Sequence, residues 1–340
     1  MRGVDEQCLV EFTHRFFAVA VRQCQLRQGE TWPHQPGDTL QILDGPFAGL
    51  SGVYGYPGTP STEIFEFVEQ RTRAGGDVHA FWSTNEKVAD EEALGMSWAG
   101  KRALVCMKHV GLNVAADAFM NSAVTGTNGG LVLAVADDPG MHSSQNEQDS
   151  RYFAQFALIP CFEPRNQQEC YDMMFEAFEL SERLQLPIMV RLVTRLAHSR
   201  AAVRIREALP QKPLSPARDA RRWTLLPSNA RVQYKHLTEK QPELLRLAEE
   251  SVHNVLKLRG RSGVIACGVA ENYLRENLAG DHDLSILSIR QYPIPAGRIR
   301  PLLDHVSELL VLEDGCPFVE STIRGLFGLS DVRVKGRMTG

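Results

Sequence analysis

The sequence predicts an α/β protein with a mainly parallel sheet, followed by a second and smaller α/β unit. Short apolar runs of strand length recur along most of the chain, and segments with helical periodicity lie between them. Proline and glycine clusters separate several of these elements from one another. Strands that alternate with helices in this way form a parallel sheet that is covered on both faces. These observations together predict the fold class.

The elements of the first unit follow one another at short intervals. A short strand at 52–56 leads through a proline-rich turn into a helix that Ser61 or Thr62 can cap and that runs to about Arg73. A helix at 88–99 is rich in small residues that allow another backbone to approach closely, namely Ala89, Ala93, Gly95 and Ala99. The other strands predicted for this unit lie at 78–82, 103–107, 131–136, 159–162 and 188–193.

A connector separates the two units. It contains several prolines and one amphipathic helix, predicted at 242–258, and the basic run from Arg191 to Arg222 is expected to be solvated. The second unit has predicted strands at 264–267, 284–289, 309–312 and 332–334 and predicted helices at 270–278, 299–306 and 317–326. The predicted domain organisation is an atypical N-terminal segment at 1–47, a first domain at 48–200, a connector at 201–262 and a second α/β domain at 263–340.

The N-terminal segment fits no single element, because the stretch 35–52 has two incompatible interpretations. In one interpretation it is a strand pair with turns at its Pro-Gly and Asp-Gly pairs, and it resembles the KOW motif of transcription elongation factors. In the other, residues 37–50 form the first helix of the α/β domain, but Pro46 would kink or end that helix at a cost of about 3 kcal/mol. Both interpretations stay open.

Composition and charge argue against several classes of protein. The chain has 43% hydrophobic and 23% charged residues, and its net charge of −4, without a clustered basic excess, argues against a nucleic-acid surface. No apolar run approaches the roughly 18 residues that span a bilayer, and the N-terminus lacks the pattern of a signal peptide. We therefore expect no membrane association and a cytoplasmic location.

The sequence also lacks the motifs of several common catalytic sites. The seven cysteines form no C-x-x-C pair, which argues against a zinc ribbon or a ferredoxin-type cluster on this chain. Cys106 and Cys267 lie in apolar strand patterns and are expected to be buried. P-loop, nucleophile-elbow and H-x-x-x-H motifs do not occur, so the sequence does not predict NTPase, hydrolase or zinc-enzyme chemistry.

One predicted helix and the strand after it carry polar groups at their ends. Glu86 stands before the small-residue helix. The polar residues that follow the strand at 103–107 are Lys108, His109 and Asn113. Because the carboxyl ends of parallel strands meet at one edge of a sheet, we expect a site at this edge.

A second candidate is the strand-turn-helix junction GYPGTPSTE, which begins at Gly55. The N-terminus of a helix favours an anion or a carbonyl oxygen by about 0.3 to 1 kcal/mol when it is exposed. Thr59 has the best-placed hydroxyl for such a contact. A turn with a good N-cap and no ligand is the alternative, since Pro-Gly-Thr-Pro is strong turn chemistry by itself.

A polar loop at 137–151 follows one of the predicted strands. Loops in this position bind ligands in doubly wound sheets, although Ser, Asn and Gln also favour ordinary exposed loops. The side chains that could bind a substrate or a neighbouring subunit are His142, Ser143, Ser144, Gln145 and Asn146. The acid pairs Glu91-Glu92 and Asp137-Asp138 are expected to be solvated or to cap helices rather than to bind a metal.

Three long motifs together resemble the α subunits of indolepyruvate:ferredoxin oxidoreductases, within the wider 2-oxoacid:ferredoxin oxidoreductase family. The motifs are GYPGTPSTEI, the pair TNEKVADEEALG and KHVGLNVAAD, and ADDPGMHSSQNEQDSRYFA. The likeness extends from about Gly49 to Gly340 and includes the stretches IPCFEP and VLEDGCPFVE. Motifs of this length are far more specific than a lone glycine pattern.

The resemblance implies chemistry that depends on thiamine diphosphate. Enzymes of this family oxidatively decarboxylate a 2-oxoacid, here indolepyruvate or another aryl pyruvate, with coenzyme A to an acyl-CoA. They pass the electrons through iron–sulfur clusters to ferredoxin, while the thiamine cofactor carries the carbanion chemistry. The implied fold is a parallel-sheet domain that binds the pyrimidine of the cofactor, followed by a smaller α/β domain like the C-terminal domain of transketolase.

Two residues take their implied roles directly from the family motifs. Glu86 matches the glutamate that hydrogen-bonds N1′ of the aminopyrimidine ring, where a carboxylate in a dry pocket suits proton sharing. Thr59 matches the threonine of the Y-P-x-T-P turn, which approaches the substrate carboxylate or keto oxygen. The implied substrate-binding residues are Thr59, Lys108, His109 and Asn113, and the implied cofactor-binding residues are Glu86, Gly58, Ser143, Ser144, Gln145 and Asn146.

The resemblance also implies a partner chain. Longer relatives continue past a K-G-x-x-T-G segment into a diphosphate-binding domain with a G-D-G…N metal motif and then into cysteine-rich ferredoxin modules, whereas this chain ends at Gly340. We therefore expect a partial or split subunit that shares thiamine diphosphate with a diphosphate-binding chain or a β or γ subunit. Mg²⁺ and the iron–sulfur clusters are expected on missing domains or on the partner, and no metal is expected on this chain. Ferredoxin is expected as an indirect partner, and the subunit is expected to form a homo-oligomer.

Two alternatives to a catalytic subunit remain. One is a truncated relic or an assembly protein without catalytic activity. The other is a binding module in which the KOW-like N-terminal segment carries the function.

Overall fold

A computed structural model of the chain describes residues 48–73, 75–278, 282–326 and 333–336. Most of the stretch 35–52, and with it the choice between its two interpretations, lies outside the described residues, as does the end of the chain at 337–340. Within the described part, residues 50–52 belong to a strand.

The elements from residue 50 to residue 197 alternate between strand and helix. They are β1 (Leu50–Gly55), α1 (Thr62–Arg73), β2 (His79–Trp82), α2 (Glu86–Trp98), β3 (Arg102–Lys108), α3 (His109–Thr125), β4 (Leu131–Asp137), α4 (Ser150–Ala157), β5 (Cys161–Phe162), α5 (Gln167–Leu184), β6 (Ile188–Val193) and α6 (Thr194–Ala197). Every strand predicted for the first unit is present within a few residues of its predicted bounds.

The elements that follow are three helices and then a second alternating set. They are α7 (Ala220–Trp223), α8 (Pro227–Glu239), α9 (Gln241–Glu250), β7 (Val255–Lys257), β8 (Ser262–Cys267), α10 (Ala270–Asn277), β9 (Leu284–Ile289), β10 (Gln291–Tyr292), α11 (Ala296–His305), β11 (Glu308–Leu312), α12 (Phe318–Leu326) and β12 (Arg333–Lys335).

The described strands form two sheets, which confirms the predicted α/β class. A seven-stranded sheet has the order β10-β5-β6-β4-β3-β1-β2, and a five-stranded sheet has the order β12-β11-β8-β9-β7. All pairs are parallel except β10 with β5 and β7 with β9. The central strands β4 and β6 are buried along their whole length, as expected for strands that helices cover on both faces.

The first sheet changes its direction of winding between β1 and β3. The chain goes from β1 outward to the edge strand β2 and then crosses back to place β3 on the other side of β1. Helices on opposite faces leave a crevice outside the carboxyl ends of two strands at such a switch point, and open α/β sheets bind ligands there. The turn after β1 and the end of β3 therefore meet at the expected ligand position.

The prediction of one long helix at 242–258 is wrong. Helix α9 ends at Glu250, and Val255–Lys257 instead forms β7, which pairs with β9. The side chain of Asn254 fixes the turn between them, because it donates to the carbonyl oxygen of Ala248 at 2.8 Å and accepts from the backbone N–H of Arg290 at 2.8 Å. The preceding helix α8 was not predicted.

The second sheet is joined to the first through β10. This two-residue strand comes from the second half of the chain, yet it pairs with β5 at the edge of the first sheet. The hydrophobic core is correspondingly shared, since one cluster contains Leu104 and Val132 of the first sheet together with Leu287 and Val311 of the second. The predicted domain boundaries remain a prediction.

The small residues of α2 have mixed surroundings. Ala89 and Ala93 are completely buried, in agreement with a close neighbour. Gly95 was wrongly assigned to this face, because it is exposed and no atom lies within 4 Å of the position of an added Cβ. Cys106 and Cys267 are buried, as predicted. In the described part of the chain, no helix combines the length and the apolar character needed to cross a membrane.

Candidate functional site

Glu86 is the first residue of α2, and its side chain lies against the first turn of α3. The helix begins there because Asn85 caps it, accepting a hydrogen bond from the backbone N–H of Val88 at 2.9 Å. An added Cβ on Gly111 would lie 2.6 Å from Oε1 of Glu86, so glycine leaves the space that the carboxylate occupies. The residue is 8% exposed, and no described residue donates a hydrogen bond to its carboxylate. A nearly buried carboxylate of this kind is able to accept a hydrogen bond from a ligand.

The turn after β1 contacts the end of β3 at the switch point. Hydrogen bonds fix the turn, with the N–H of Gly58 donating to Oγ1 of Thr62 at 2.8 Å and the hydroxyl of Ser61 donating to the carbonyl of Gly58 at 2.7 Å. The side chain of Lys108 lies over Gly58, since an added Cβ there would be 2.9 Å from Cδ of the lysine. Thr59 is exposed beside this contact, and its peptide bond to Pro60 is cis.

The loop after β4 folds back over the same place. We call residues 138–148 the site loop. The hydroxyl of Ser143 donates to the carbonyl oxygen of Thr59 at 3.3 Å, and Nζ of Lys108 donates to the carbonyl oxygen of Ser143 at 3.4 Å. His109 contacts the carbonyl oxygen of Asn146 at 3.1 Å. These contacts bring residues from three of the predicted motifs to one edge of the sheet.

His109 is almost completely buried under the site loop, at 1% exposure. Its Nε2 lies 3.1 Å from a carbonyl oxygen, which can only accept, so in the neutral form of the ring it is Nε2 that carries the proton. Its Nδ1 is then an acceptor, and it has no hydrogen-bond partner among the described residues. The ring therefore holds the loop through one nitrogen and keeps the other available as an acceptor.

Three of the other predicted residues make fewer contacts. Asn113 is exposed on α3 one turn after His109, and Gln145 is exposed on the site loop. Ser144 is half-buried in the same loop. The contacts thus connect part of the predicted site residues to one another, and they do not include Asn113, Ser144 and Gln145.

Asp138 is the first residue of the site loop and is completely buried. One carboxylate oxygen accepts from the hydroxyl of Thr194 at 2.7 Å, and the other accepts from the backbone N–H of Ser143 at 2.7 Å. Burial alone would raise the pKa of this carboxyl group, but the donated hydrogen bonds outweigh it and lower the pKa to about 2. The charged form of Asp138 is therefore part of the fold at neutral pH.

Of the two roles expected for Asp137-Asp138, solvation does not apply, because both side chains are 0% exposed. The capping expectation is confirmed for Asp137, whose carboxylate accepts from the backbone N–H of Ser150, the first residue of α4, at 3.0 Å. Glu91, in the other pair, is solvated as expected, with 55% of its side chain exposed.

A cluster of buried charges lies behind the site loop, and sequence reasoning did not find it. Arg191 was placed in a solvated basic run, but it lies within β6 and is completely buried. Its guanidinium pairs with Asp137 at 2.6 Å and also with Glu163. An arginine in the middle of an apolar strand is the pattern that could have indicated a buried partner, because a charge is rarely buried alone.

Arg151 and Asp149 form the second half of this cluster. Arg151 is buried and pairs with Asp149 at 2.5 Å and with Glu313 of the second sheet at 3.1 Å. Burial opposes ionisation of Asp149, but the guanidinium groups of Arg151 and Arg191 outweigh it and lower its pKa to about 2. Asp149 also caps α4, accepting from the backbone N–H of Arg151 at 3.1 Å.

A protein-family model matches residues 47–239 of the chain. The family is described as pyruvate flavodoxin/ferredoxin oxidoreductase, thiamine diphosphate-binding. The matched region contains β1 to α8 and therefore the whole candidate site.

Several characterised proteins are similar in sequence to most of this chain. The indolepyruvate oxidoreductase subunit IorA of Methanothermobacter thermautotrophicus is 38% identical over 301 residues, which cover 86% of this chain and 48% of that subunit. The IorA subunit of Pyrococcus abyssi is 40% identical over 85% of this chain and 47% of its own length. The ketoisovalerate oxidoreductase subunit VorB of M. thermautotrophicus is 23% identical over 89% of this chain and 92% of its own length. The chain thus spans about half the length of the IorA subunits that it matches.

A solved structure supports the fold. The 2-oxoglutarate:ferredoxin oxidoreductase of Magnetococcus marinus superimposes with a TM-score of 0.64 over 90% of this chain and 63% of that chain, at 16% sequence identity. The family match to more than half of the chain agrees with the motifs at 55–64, 84–95, 108–117 and 136–154. This chain therefore belongs to the pyruvate flavodoxin/ferredoxin oxidoreductase family and is similar to the α subunits of its indolepyruvate oxidoreductases.

Proposed function

We propose that this chain supplies the pyrimidine-binding half of a thiamine diphosphate site in a 2-oxoacid:ferredoxin oxidoreductase. The observation that carries the proposal is the carboxylate of Glu86, which is nearly buried at the edge of a domain of a thiamine diphosphate-binding family and which no described residue donates to. The substrate, the partner and the roles of the site residues are parts of the same proposal.

The residues around Glu86 fit the pyrimidine end of this cofactor. A carboxylate can accept a hydrogen bond from a protonated ring nitrogen, and Gly111 keeps the space beside it free of a side chain. Thiamine diphosphate, when it is bound, supplies the electron sink that the loss of carbon dioxide from a 2-oxoacid requires. Glu86 would hold the proton at N1′ of the aminopyrimidine, and its low exposure favours sharing of that proton over its release to water.

The proposed substrate residues lie at the switch point between β1 and β3. The hydroxyl of Thr59 would donate to an oxygen of the 2-oxoacid, and the ammonium group of Lys108 would attract its carboxylate. Asn113 and the acceptor nitrogen of His109 complete the substrate side. The proposed cofactor side consists of Glu86, Gly58, Ser143, Ser144, Gln145 and Asn146, which border the same edge of the sheet.

The proposal includes a second chain. The relatives are named as subunits, which supports an assembly with partner chains. We propose that a partner binds the diphosphate and Mg²⁺ and carries the iron–sulfur clusters that reduce ferredoxin. Indolepyruvate or another aryl 2-oxoacid is the proposed substrate, with coenzyme A as acyl acceptor. The homo-oligomer and the cytoplasmic location expected from the sequence belong to this proposal.

Substitution of Glu86 tests the proposal in the complex of this chain with its partner. Glu86→Gln removes the carboxylate but preserves its shape, so we expect turnover of indolepyruvate to fall by about 10²- to 10⁴-fold while the complex still assembles. Turnover is measured as reduction of ferredoxin in the presence of coenzyme A, and assembly is measured by size-exclusion chromatography. Glu91→Gln on the exposed face of the same helix is the matched control and should leave turnover unchanged.

Turnover by Glu86→Gln close to that of the unmodified protein would contradict the proposed role. If the unmodified complex assembles but never turns over a 2-oxoacid, the alternative of a non-catalytic assembly protein is favoured. The alternative of a KOW-like binding module depends on residues outside the described ranges.

A further inference from the structure

Buried acids hold the site loop at both of its ends. Asp137 precedes the loop and Asp149 follows it. The carboxylate of Asp137 accepts from the backbone N–H of Ser150 at 3.0 Å, which joins the two ends to each other. It also accepts from Nε of Arg191 at 2.6 Å, while Asp149 accepts from Nε of Arg151 at 2.9 Å. The two arginines therefore fix the position of the loop ends.

The same two arginines reach the second sheet. Residues 313–316 follow β11, and we call them the β11 turn. Nη2 of Arg191 donates to the carbonyl oxygen of Asp314 at 2.8 Å, and Nη2 of Arg151 donates to that of Cys316 at 3.1 Å. The backbone N–H of Cys316 in turn donates to Asp149 at 3.1 Å. Each end of the site loop is thus linked to the β11 turn through one buried guanidinium group.

The contact between the β11 turn and the ion pairs leaves no free space. Gly315 has a φ of +101°, and an added Cβ would lie 2.7 Å from Oδ2 of Asp149 and 2.8 Å from Nη2 of Arg191. The side chains of Arg151, Arg191 and Asp149 are 0% exposed. Buried charges have few alternative partners, because loss of one partner leaves an uncompensated charge in the interior. The positions of these charged side chains therefore depend on the position of the β11 turn.

We propose that the β11 turn is a positioning element for the site loop. Through Arg151 and Arg191 it fixes the loop ends, and the loop in turn places Ser143 beside Thr59 and Asn146 beside His109. This assigns the second sheet a part in building the site, in addition to the hydrophobic core that it shares with the first. The inference that this positioning serves the binding of thiamine diphosphate rests on the proposed function. The positioning of the loop itself does not.

Gly315→Ala tests the inference without a change in either the loop or the arginines. The added methyl group displaces the ion pairs, so amide hydrogen exchange of residues 138–148 should become roughly tenfold faster than in the unmodified chain. Exchange in β3 and β4 should remain unchanged. Gly325→Ala is the matched control in the same sheet unit, because no atom lies within 4 Å of its added Cβ, and it should not alter the loop.

Two results would overturn the inference. One is that amide hydrogen exchange in the site loop of Gly315→Ala is unchanged while the β11 turn itself exchanges faster. The other is an equal rise of exchange in β3 and β4, because the turn would then stabilise the whole fold rather than the loop. If Gly315→Ala does not fold, Arg191→Lys provides the same comparison, since it keeps the charge but loses the forked contact with Asp137 and Asp314.

A second measurement separates this inference from the proposed function. In the assembled complex, Gly315→Ala should raise the thiamine diphosphate concentration needed for half-maximal turnover, while turnover at saturating cofactor stays close to that of the unmodified complex. Faster loop exchange without any change in the cofactor requirement supports the positioning and contradicts the proposed cofactor role of the loop. Unchanged loop exchange contradicts the positioning whatever the cofactor requirement is.

Discussion

Asp90 is a buried acid whose surroundings do not favour its charge. It lies one turn after Glu86 on α2, is 0% exposed, and neither carboxylate oxygen has a hydrogen-bond partner among the described residues. Burial, with a smaller effect of Glu91, raises its pKa to about 7. The folded chain therefore retains a proton on Asp90 over a pH range in which the unfolded chain has lost it.

This pKa predicts how stability depends on pH. Because the pKa is raised on folding, the contribution of Asp90 to stability is complete below about pH 4 and is lost as pH rises through about 7, with a total change of about 4 kcal/mol. Asp90→Asn removes this titration. We expect a flatter dependence of unfolding free energy on pH between 5 and 8 and a more stable protein at pH 8, measured by urea denaturation.

Glu91→Gln is the control for Asp90→Asn. Glu91 is the solvated neighbour and has only the smaller effect on the pKa of Asp90, so its loss should leave most of the pH dependence in place. If Asp90→Asn and the unmodified chain lose stability equally between pH 5 and 8, Asp90 is not the titrating group.

At the scale of residues, the sequence offered candidates for the site but did not indicate the buried charges behind it. Glu86 and Thr59 could be proposed because long motifs carry them, and these motifs are continuous in sequence. Arg191 was missed because the burial of a charge depends on partners that are distant in sequence, here Asp137 and Glu163. The role of Gly111 was missed for the same reason, since nothing near it in sequence indicates that Glu86 lies against it.

At the scale of elements, α2 offers a direct test of helix energetics. Gly95 lies inside this helix and is exposed, with no atom within 4 Å of an added Cβ. Gly95→Ala should therefore raise the free energy of unfolding by about 1 kcal/mol, because alanine loses less backbone freedom on folding and meets no neighbour. Chemical denaturation measures the change. Gly111→Ala on the neighbouring helix is the contrasting variant, because its Cβ would meet Glu86 and it should bring no such gain.

A loss of stability in Gly95→Ala would contradict this description of the α2 surface. Such a loss would mean that the exposed side of the helix is covered, for example by another copy of the chain.

Elements were predictable where their burial is uniform. The strands β3, β4 and β6 are continuous apolar runs because helices cover both faces of the parallel sheet, and their bounds were predicted within two residues. The region from α8 to β7 was misinterpreted because short amphipathic segments fit both helical and strand periods. Strand β10 was missed because two residues are too few to show a periodic pattern of hydrophobic side chains. Only its pairing with β5 defines it as a strand.

At the scale of the whole molecule, the buried ion pairs connect the two sheets and should determine the acid stability of the chain. Asp149 faces Arg151 and Arg191, which bind the β11 turn of the second sheet. Its pKa of about 2 is lower than the ordinary value for aspartate, so its contribution to stability is complete above about pH 4 and is lost as pH falls through about 2. The corresponding change is about 2 kcal/mol, and it should affect both sheets together.

Asp149→Asn should therefore destabilise the chain at pH 7 by about 3 to 5 kcal/mol, because two buried guanidinium groups lose a shared partner. The same variant should lose less additional stability than the unmodified chain between pH 4 and 2, measured by circular dichroism during acid titration. Asp117→Asn is the control, since Asp117 also has a lowered pKa beside Lys87 but lies on the exposed surface of α3, where such pairs contribute little. Hydrogen exchange identifies which elements open. If the second sheet stays protected at a pH where β4 and β6 have opened, the ion pairs do not couple the sheets, and the positioning of the site loop by the β11 turn loses its physical basis.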